Sequence, residues 1–271
     1  MDFVIELYSI LRLCYCNKTH CIKMKGKIGI KDLEKLVESG DIDTVLACGV
    51  DMQGRLNGKR LTGYHFLKHN VNEWEGCNYL IATDMEKEPV PGYKSSSWDT
   101  GYGDMVVKTD LNTLRIIPWL EKTALVLGDY VNHNGELDQR APRSILKKQI
   151  QKLNDMGYLP KIAPELEFYV FNETYESAEA KDFKNLTKAS WYNEDYDIFQ
   201  TTKEEPLIRA MRNGLNDAGI DVEGSKGEAS AAQEEMNVMY AEALEMAGVS
   251  VTAEKPPIEN TLTSSKQIVS G

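Results

Sequence analysis

Ala163-Pro164-Glu165-Leu166-Glu167-Phe168-Tyr169-Val170-Phe171 is the stretch whose reading decides the rest of this sequence. Read as a strand, it sends alternate side chains to opposite faces. Glu165 and Glu167 then share one face, roughly 6–7 Å apart, followed by Tyr169 and Phe171. Two like charges beside aromatic rings on a partly buried surface are costly unless a cation lies between them, and hard divalent cations prefer carboxylate oxygen. An ordinary polar strand face carries the same E-x-E pattern. The motif alone therefore leaves both readings open.

A second acidic segment follows in Gly224-Ser225-Lys226-Gly227-Glu228-Ala229-Ser230-Ala231-Ala232-Gln233-Glu234-Glu235-Met236-Asn237-Val238. Its small residues predict a turn. A short strand then follows, with Gln233, Glu235 and Asn237 on one face and Met236, Val238 and Tyr240 on the other. Glu234 points away from Glu235 and is not expected to be a ligand. Four carboxylates, Glu165, Glu167, Glu228 and Glu235, are thus expected to converge from adjacent strands.

With these residues in place the chain resembles the glutamine synthetase family, and especially its bacterial-type branch of gamma-glutamyl ligases. The resemblance is carried, in the family's order, by several stretches. They are Asp51-Met52-Gln53-Gly54-Arg55-Leu56-Asn57-Gly58-Lys59-Arg60, Thr100-Gly101-Tyr102-Gly103-Asp104-Met105, Pro164-Glu165-Leu166-Glu167-Phe168-Tyr169, Tyr192-Asn193-Glu194-Asp195-Tyr196, and Glu223 through Asn237. It runs from about Lys31 to Ala247.

The resemblance implies an α+β chain. Residues 25–133 form a beta-grasp-like N-terminal domain, and residues 134–247 part of a catalytic domain, an antiparallel sheet with flanking helices. Residues 1–24 are an unmatched extension and 248–271 a loose tail. It also implies roles. Glu167, Glu228 and Glu235 ligate a first Mg²⁺ or Mn²⁺, and Glu165 contributes to a second. Glu228 also helps form an amine pocket lined by Tyr196. Glu223 lies near the ATP nucleotide, and Asp99 sits on a loop that reaches a neighbouring subunit's site to bind ammonium. The implied substrates are glutamate, ATP and ammonia or a small primary amine, in a homo-oligomer. Ala231-Ala232 stand where the family commonly has Gly, so the aim of the carboxylates beyond that turn is open.

Composition narrows the alternatives. At 271 residues the chain is long enough for one large or two modest domains with a real core. Its net charge of −11, with no Lys/Arg cluster, argues against a nucleic-acid partner. Cys14, Cys16 and Cys21 lie near His20, but no second ligand pair follows at zinc-site spacing. The apolar patches of residues 1–13 are broken by Glu6 and Arg12, lack a basic n-region, and are too short to span a bilayer. A cytoplasmic, reduced protein is expected.

Local patterning supplies the elements. Leu33, Leu36 and Val37 predict a helix ended by Ser39-Gly40. Strands are expected at 44–50, 79–82, 105–107, 114–118 and 124–127. Residues 92–99 form a loop. Pro142 opens a helix with an apolar stripe of Ile145/Leu146, Ile150, Leu153 and Met156, stopped at Gly157. Pro206 opens another, whose Leu207, Met211, Leu215 and Ala218 face one way, before a strand at 220–223.

The family's histidine, its further metal glutamate and its phosphate-binding arginines belong to segments that this sequence does not contain. Three readings follow. The chain is an ATP-dependent glutamate–amine ligase, a catalytically incomplete relative that binds Mg²⁺ or Mn²⁺, or a protein that co-assembles with full-length ligase subunits. For the 271-residue chain itself no turnover is expected.

Overall fold

The computed structural model describes residues 25–93, 96–132 and 134–229, and the backbone of 233–238. Cys14, Cys16, His20, Cys21, the 230–232 turn and the tail from 239 lie outside the described residues.

The first half of the described chain builds a five-stranded mixed sheet. Helix α1 (Ile30–Glu38) is followed by β1 (Thr44–Val50), β2 (Leu56–Thr62), a helical turn α2 (Gly63–His65), β3 (Glu73–Cys77), β4 (Asp104–Ile116) and β5 (Thr123–Val131). The strand order is β2-β1-β5-β4-β3. All pairs are antiparallel except β1–β5, which run parallel from Thr44 opposite Thr123. Every residue of β5 is buried, which is what Ala124-Leu125-Val126-Leu127 at the centre of a sheet requires. Leu33 and Leu36 of α1 join Val45, Phe66, Trp74, Val107 and Val126 in one apolar core.

Two expected strands read differently in three dimensions. Residues 79–82 lie mostly in a 3₁₀ turn, Asn78–Ile81, and the separate runs at 105–107 and 114–118 merge into the single strand β4. The merger carries a register shift between Asp110 and Arg115, where Thr113 Oγ1 accepts from the Leu127 amide at 2.8 Å. A bulge interrupts the alternation that sequence patterning relies on. Strands β2 and β3, rich in Asn, Lys, Arg, Glu and Gly, gave no apolar signal to find.

Helix α3 (Pro142–Asp155) starts with Pro in its first turn, and Gly157 takes φ +84° just after it. The expected stripe is corrected at both ends, because Ile145 and Met156 are exposed, leaving Leu146, Ile150 and Leu153 inward. Its inner anchor is ionic. Arg143 is 5 % exposed and donates to Asp129 and Asp110, each at 3.0 Å, while Lys147 reaches Asp129 at 2.6 Å. This cluster fastens α3 to β4 and β5.

The remainder is β6 (Glu165–Tyr169), α4 (Tyr175–Ala180), α5 (Ile198–Thr201), α6 (Glu205–Asp217), β7 (Val222–Gly227) and β8 (Gln233–Val238). These three strands form an antiparallel sheet in the order β6-β8-β7. Helix α6 packs Met211, Leu215 and Ala218 with Ile220 and Val222, and Ile208 is its buried position nearer the start. Arg212 ties it to β7 through Ser225 Oγ at 2.7 Å. The chain is thus a mixed α/β structure of two sheets with flanking helices.

Candidate carboxylate site

The acidic strands meet in register. β8 lies between β6 and β7, with Glu235 directly opposite Glu167 on one side and opposite Lys226 on the other. Residues paired in this way share a face, so Glu167, Glu235 and Lys226 form one row across the sheet. Glu165 begins the next row, opposite Asn237. The E-x-E strand is not half-buried as expected. Glu165, Glu167 and Tyr169 are exposed, and so is Leu166 on the other face, because β6 is an edge strand with little packed over it.

Glu228 follows β7 by one residue and is partly buried. Its Oε2 accepts from Lys226 Nζ at 2.6 Å and its Oε1 from the Ala229 amide at 2.8 Å. The Lys226 ammonium also lies 3.6 Å from Asp195 and 4.6 Å from the centre of the Tyr196 ring. Tyr196 and Glu228, to which the family resemblance implies a shared amine pocket, are therefore brought together around a lysine nitrogen.

A close backbone contact sets this arrangement. Tyr196 holds φ at +54°, and its amide donates to the Gly227 carbonyl at 3.3 Å. A Cβ on Gly227 would lie 2.1 Å from the Glu194 carbonyl oxygen, so only glycine allows the 192–196 loop to rest on the end of β7. Asp197 then caps α5 by accepting from the Phe199 and Gln200 amides.

Beneath the loop is a second acidic pair. Glu194 is fully buried, and neither of its carboxyl oxygens has a hydrogen-bond partner among the described residues. Burial pushes the neighbouring Glu204 carboxyl up to about 7, and the Glu194 charge adds to the rise.

Two candidates stand apart from the row. Glu223 is exposed and sits in the β7 bulge between Val222 and Gly224. Asp99 is exposed in the Ser97–Gly101 turn of the β3–β4 connection, on the five-stranded sheet. Lys226, Glu194 and Glu204 had no role in the sequence reading. The i, i+2 spacing of Lys226 and Glu228 was the available signal for the first.

The donor set suits a hard divalent cation. It offers the Glu167 carboxylate on β6 and the Glu228 carboxylate just past the end of β7, with the backbone of Glu235 in register between Glu167 and Lys226. Among the described residues no three His, Cys, Asp or Glu side chains close into a metal cage, and the Glu235 side chain is not one of those described.

A mixed α/β chain with a row of acidic positions on an antiparallel sheet is the class of protein defined here, and solved structures share the fold. Residues 139–255 match the glutamine synthetase catalytic domain, a stretch that continues past Ala247. The gamma-glutamylethanolamide synthetase of Streptomyces coelicolor is 44% identical over 218 residues, 80% of this chain and 47% of that protein. The glutamate–isopropylamine ligase of a Pseudomonas species is 32% identical over 224 residues, 82% of this chain and 49% of that protein. The GmaS/ADP complex shares the fold at a TM-score of 0.60 with 18% identity, over 80% of this chain and 46% of that one. The chain belongs to a glutamine synthetase-like family. It spans about half the length of the curated relatives it matches.

Proposed function

We propose that this chain carries the carboxylate metal site of an ATP-dependent ligase that joins the glutamate side chain to a small primary amine or ammonia through gamma-glutamyl phosphate. The single observation that supports it most is the register of Glu167 with Glu235 across β6–β8, with Glu228 following the last residue of β7. Two of its relatives are a gamma-glutamylethanolamide synthetase and a glutamate–isopropylamine ligase, which favours an organic amine over ammonia as the acceptor.

In this reading Glu167, Glu228 and Glu235 hold a Mg²⁺ or Mn²⁺ ion, and Glu165 contributes to a second. Such ions neutralise the charge of a phosphoryl group in transfer. Tyr196 and Glu228 recognise the protonated amine by ring and carboxylate. Glu223 is assigned to the nucleotide side, and Asp99 to a neighbouring subunit's amine pocket in a homo-oligomer. Residues 25–133 serve as the beta-grasp-like domain and 134–247 as part of the catalytic domain.

Titration with Mn²⁺, followed by the electron paramagnetic resonance of the free ion, tests the site. Glu167→Gln and Glu228→Gln are each expected to weaken binding about tenfold or more. Variants that bind as tightly as the parent chain would overturn the assignment.

A second reading, co-assembly with ligase subunits, is favoured by the exposed apolar residues at and before β6: Tyr158, Leu159, Ile162, Leu166 and Tyr169. Light scattering that shows a monomer at all concentrations, alone and when mixed with a full-length family member, would remove it.

A further inference from the structure

Lys226 brings a positive charge to the β7 end of the carboxylate row. Its side chain is four-fifths buried, with 20% exposure, and its Nζ meets Glu228 Oε2 at 2.6 Å, Asp195 Oδ1 at 3.6 Å and the Tyr196 ring at 4.6 Å. The Gly227 carbonyl lies 3.5 Å away. In register it also faces Glu235, the residue that faces Glu167. Nothing in the proposed chemistry assigns this lysine a part.

We infer that Lys226 is a built-in counter-ion that competes with a divalent metal for Glu228, so that metal loading requires the ammonium to leave the carboxylate. This rests on the reading of Glu228 as a metal ligand. Three features support it. The ammonium already takes the oxygen that a metal would need, at charge-assisted hydrogen-bond distance. A divalent ion bound to the same carboxylate would sit within a few ångström of a like charge, in a place shielded from solvent where such repulsion is weakly screened. The aromatic face of Tyr196 and the Asp195 carboxylate also attract the nitrogen, and so give it partners besides Glu228.

The same geometry explains how the row tolerates its own charge without metal. One lysine set against Glu228 neutralises the charge of that acid at the β7 end of the row. A lysine on a flexible four-carbon stem suits a role in which the charge must withdraw, where the rigid fork of an arginine would not.

The test uses the full 271-residue chain and Mn²⁺ alone, read by the resonance of the free ion. Lys226→Met and Lys226→Gln are each expected to bind Mn²⁺ about tenfold more tightly than the parent chain. The gain should vanish in the Lys226→Met/Glu228→Gln double variant. Circular dichroism confirms that each variant is folded, and the Gln variant carries the test if the Met variant is not. Unchanged or weaker binding in the Lys226 variants, with Glu228→Gln still impaired, overturns this inference and leaves the metal site standing. A gain that persists in the double variant overturns it too. Normal binding by Glu228→Gln overturns the metal assignment itself, and the inference with it.

Discussion

Glu167 lies directly opposite Glu235 across the β6–β8 pair. Like charges in facing positions of an antiparallel sheet repel, by up to about 1 kcal/mol. In metal-free buffer, Glu167→Gln is therefore expected to raise stability slightly. With Mn²⁺ present the order should reverse, because the parent chain gains binding energy that the variant lacks. Thermal melts in EDTA and in Mn²⁺ provide the check. The same order under both conditions would count against a shared ion.

Arg143 is buried between Asp110 and Asp129. Replacing it with Leu leaves two carboxylates in a poorly hydrated place without their main partner, which costs about 3–5 kcal/mol in comparable buried clusters. Urea unfolding should show a loss of that order. A loss below about 1 kcal/mol would mean that Lys147 alone satisfies both acids.

Gly227 touches the Glu194 carbonyl so closely that Ala in its place must push the loop away. The expected result of Gly227→Ala is a loss of about 1–3 kcal/mol together with faster amide exchange at residues 193–197. The Lys226–Tyr196 contact should go with it. Unaltered exchange in that loop would show that β7 rather than the loop gives way.

Glu204 supplies a pH dependence with a definite sign. Its carboxyl is raised to about 7 in the folded chain by burial and by Glu194, against an ordinary value near 4.5. The unfolded chain therefore loses this proton at lower pH than the folded one. Its stabilising contribution is fully present below about 4.5 and falls away as pH rises to about 7. Glu204→Gln should remove this fall, so that the variant is more stable than the parent chain at pH 8 and loses that advantage below about pH 4.5. Parallel stability–pH curves for the two proteins would refute the account.

The parts legible in the sequence were those with strong local rules. Pro142, Pro206 and the glycines after each helix fixed where α3 and α6 begin and end, and the alternation of Gln233, Glu235 and Asn237 placed β8. Alternation also placed Glu165 and Glu167 on one face. It said nothing of which strand would lie next to β6, and that neighbour is what gives Glu167 its acidic partner. Polar strands such as Leu56–Thr62 carry no apolar period and become strands only because β1 is there to pair with them. Lys226 was out of reach for a related reason. Its meaning comes from Asp195 and Tyr196, thirty residues away in sequence, and from a glycine that lets their loop come down onto β7.

Among the described strands, the order β6-β8-β7 puts the last-synthesised of the three in the middle. Within this described sheet β6 and β7 pair only with β8, so both present open edges until β8 leaves the ribosome. The interval is long for β6, which precedes β8 by more than sixty residues. Capture by a stray chain, or by a chaperone, is most favourable during that wait.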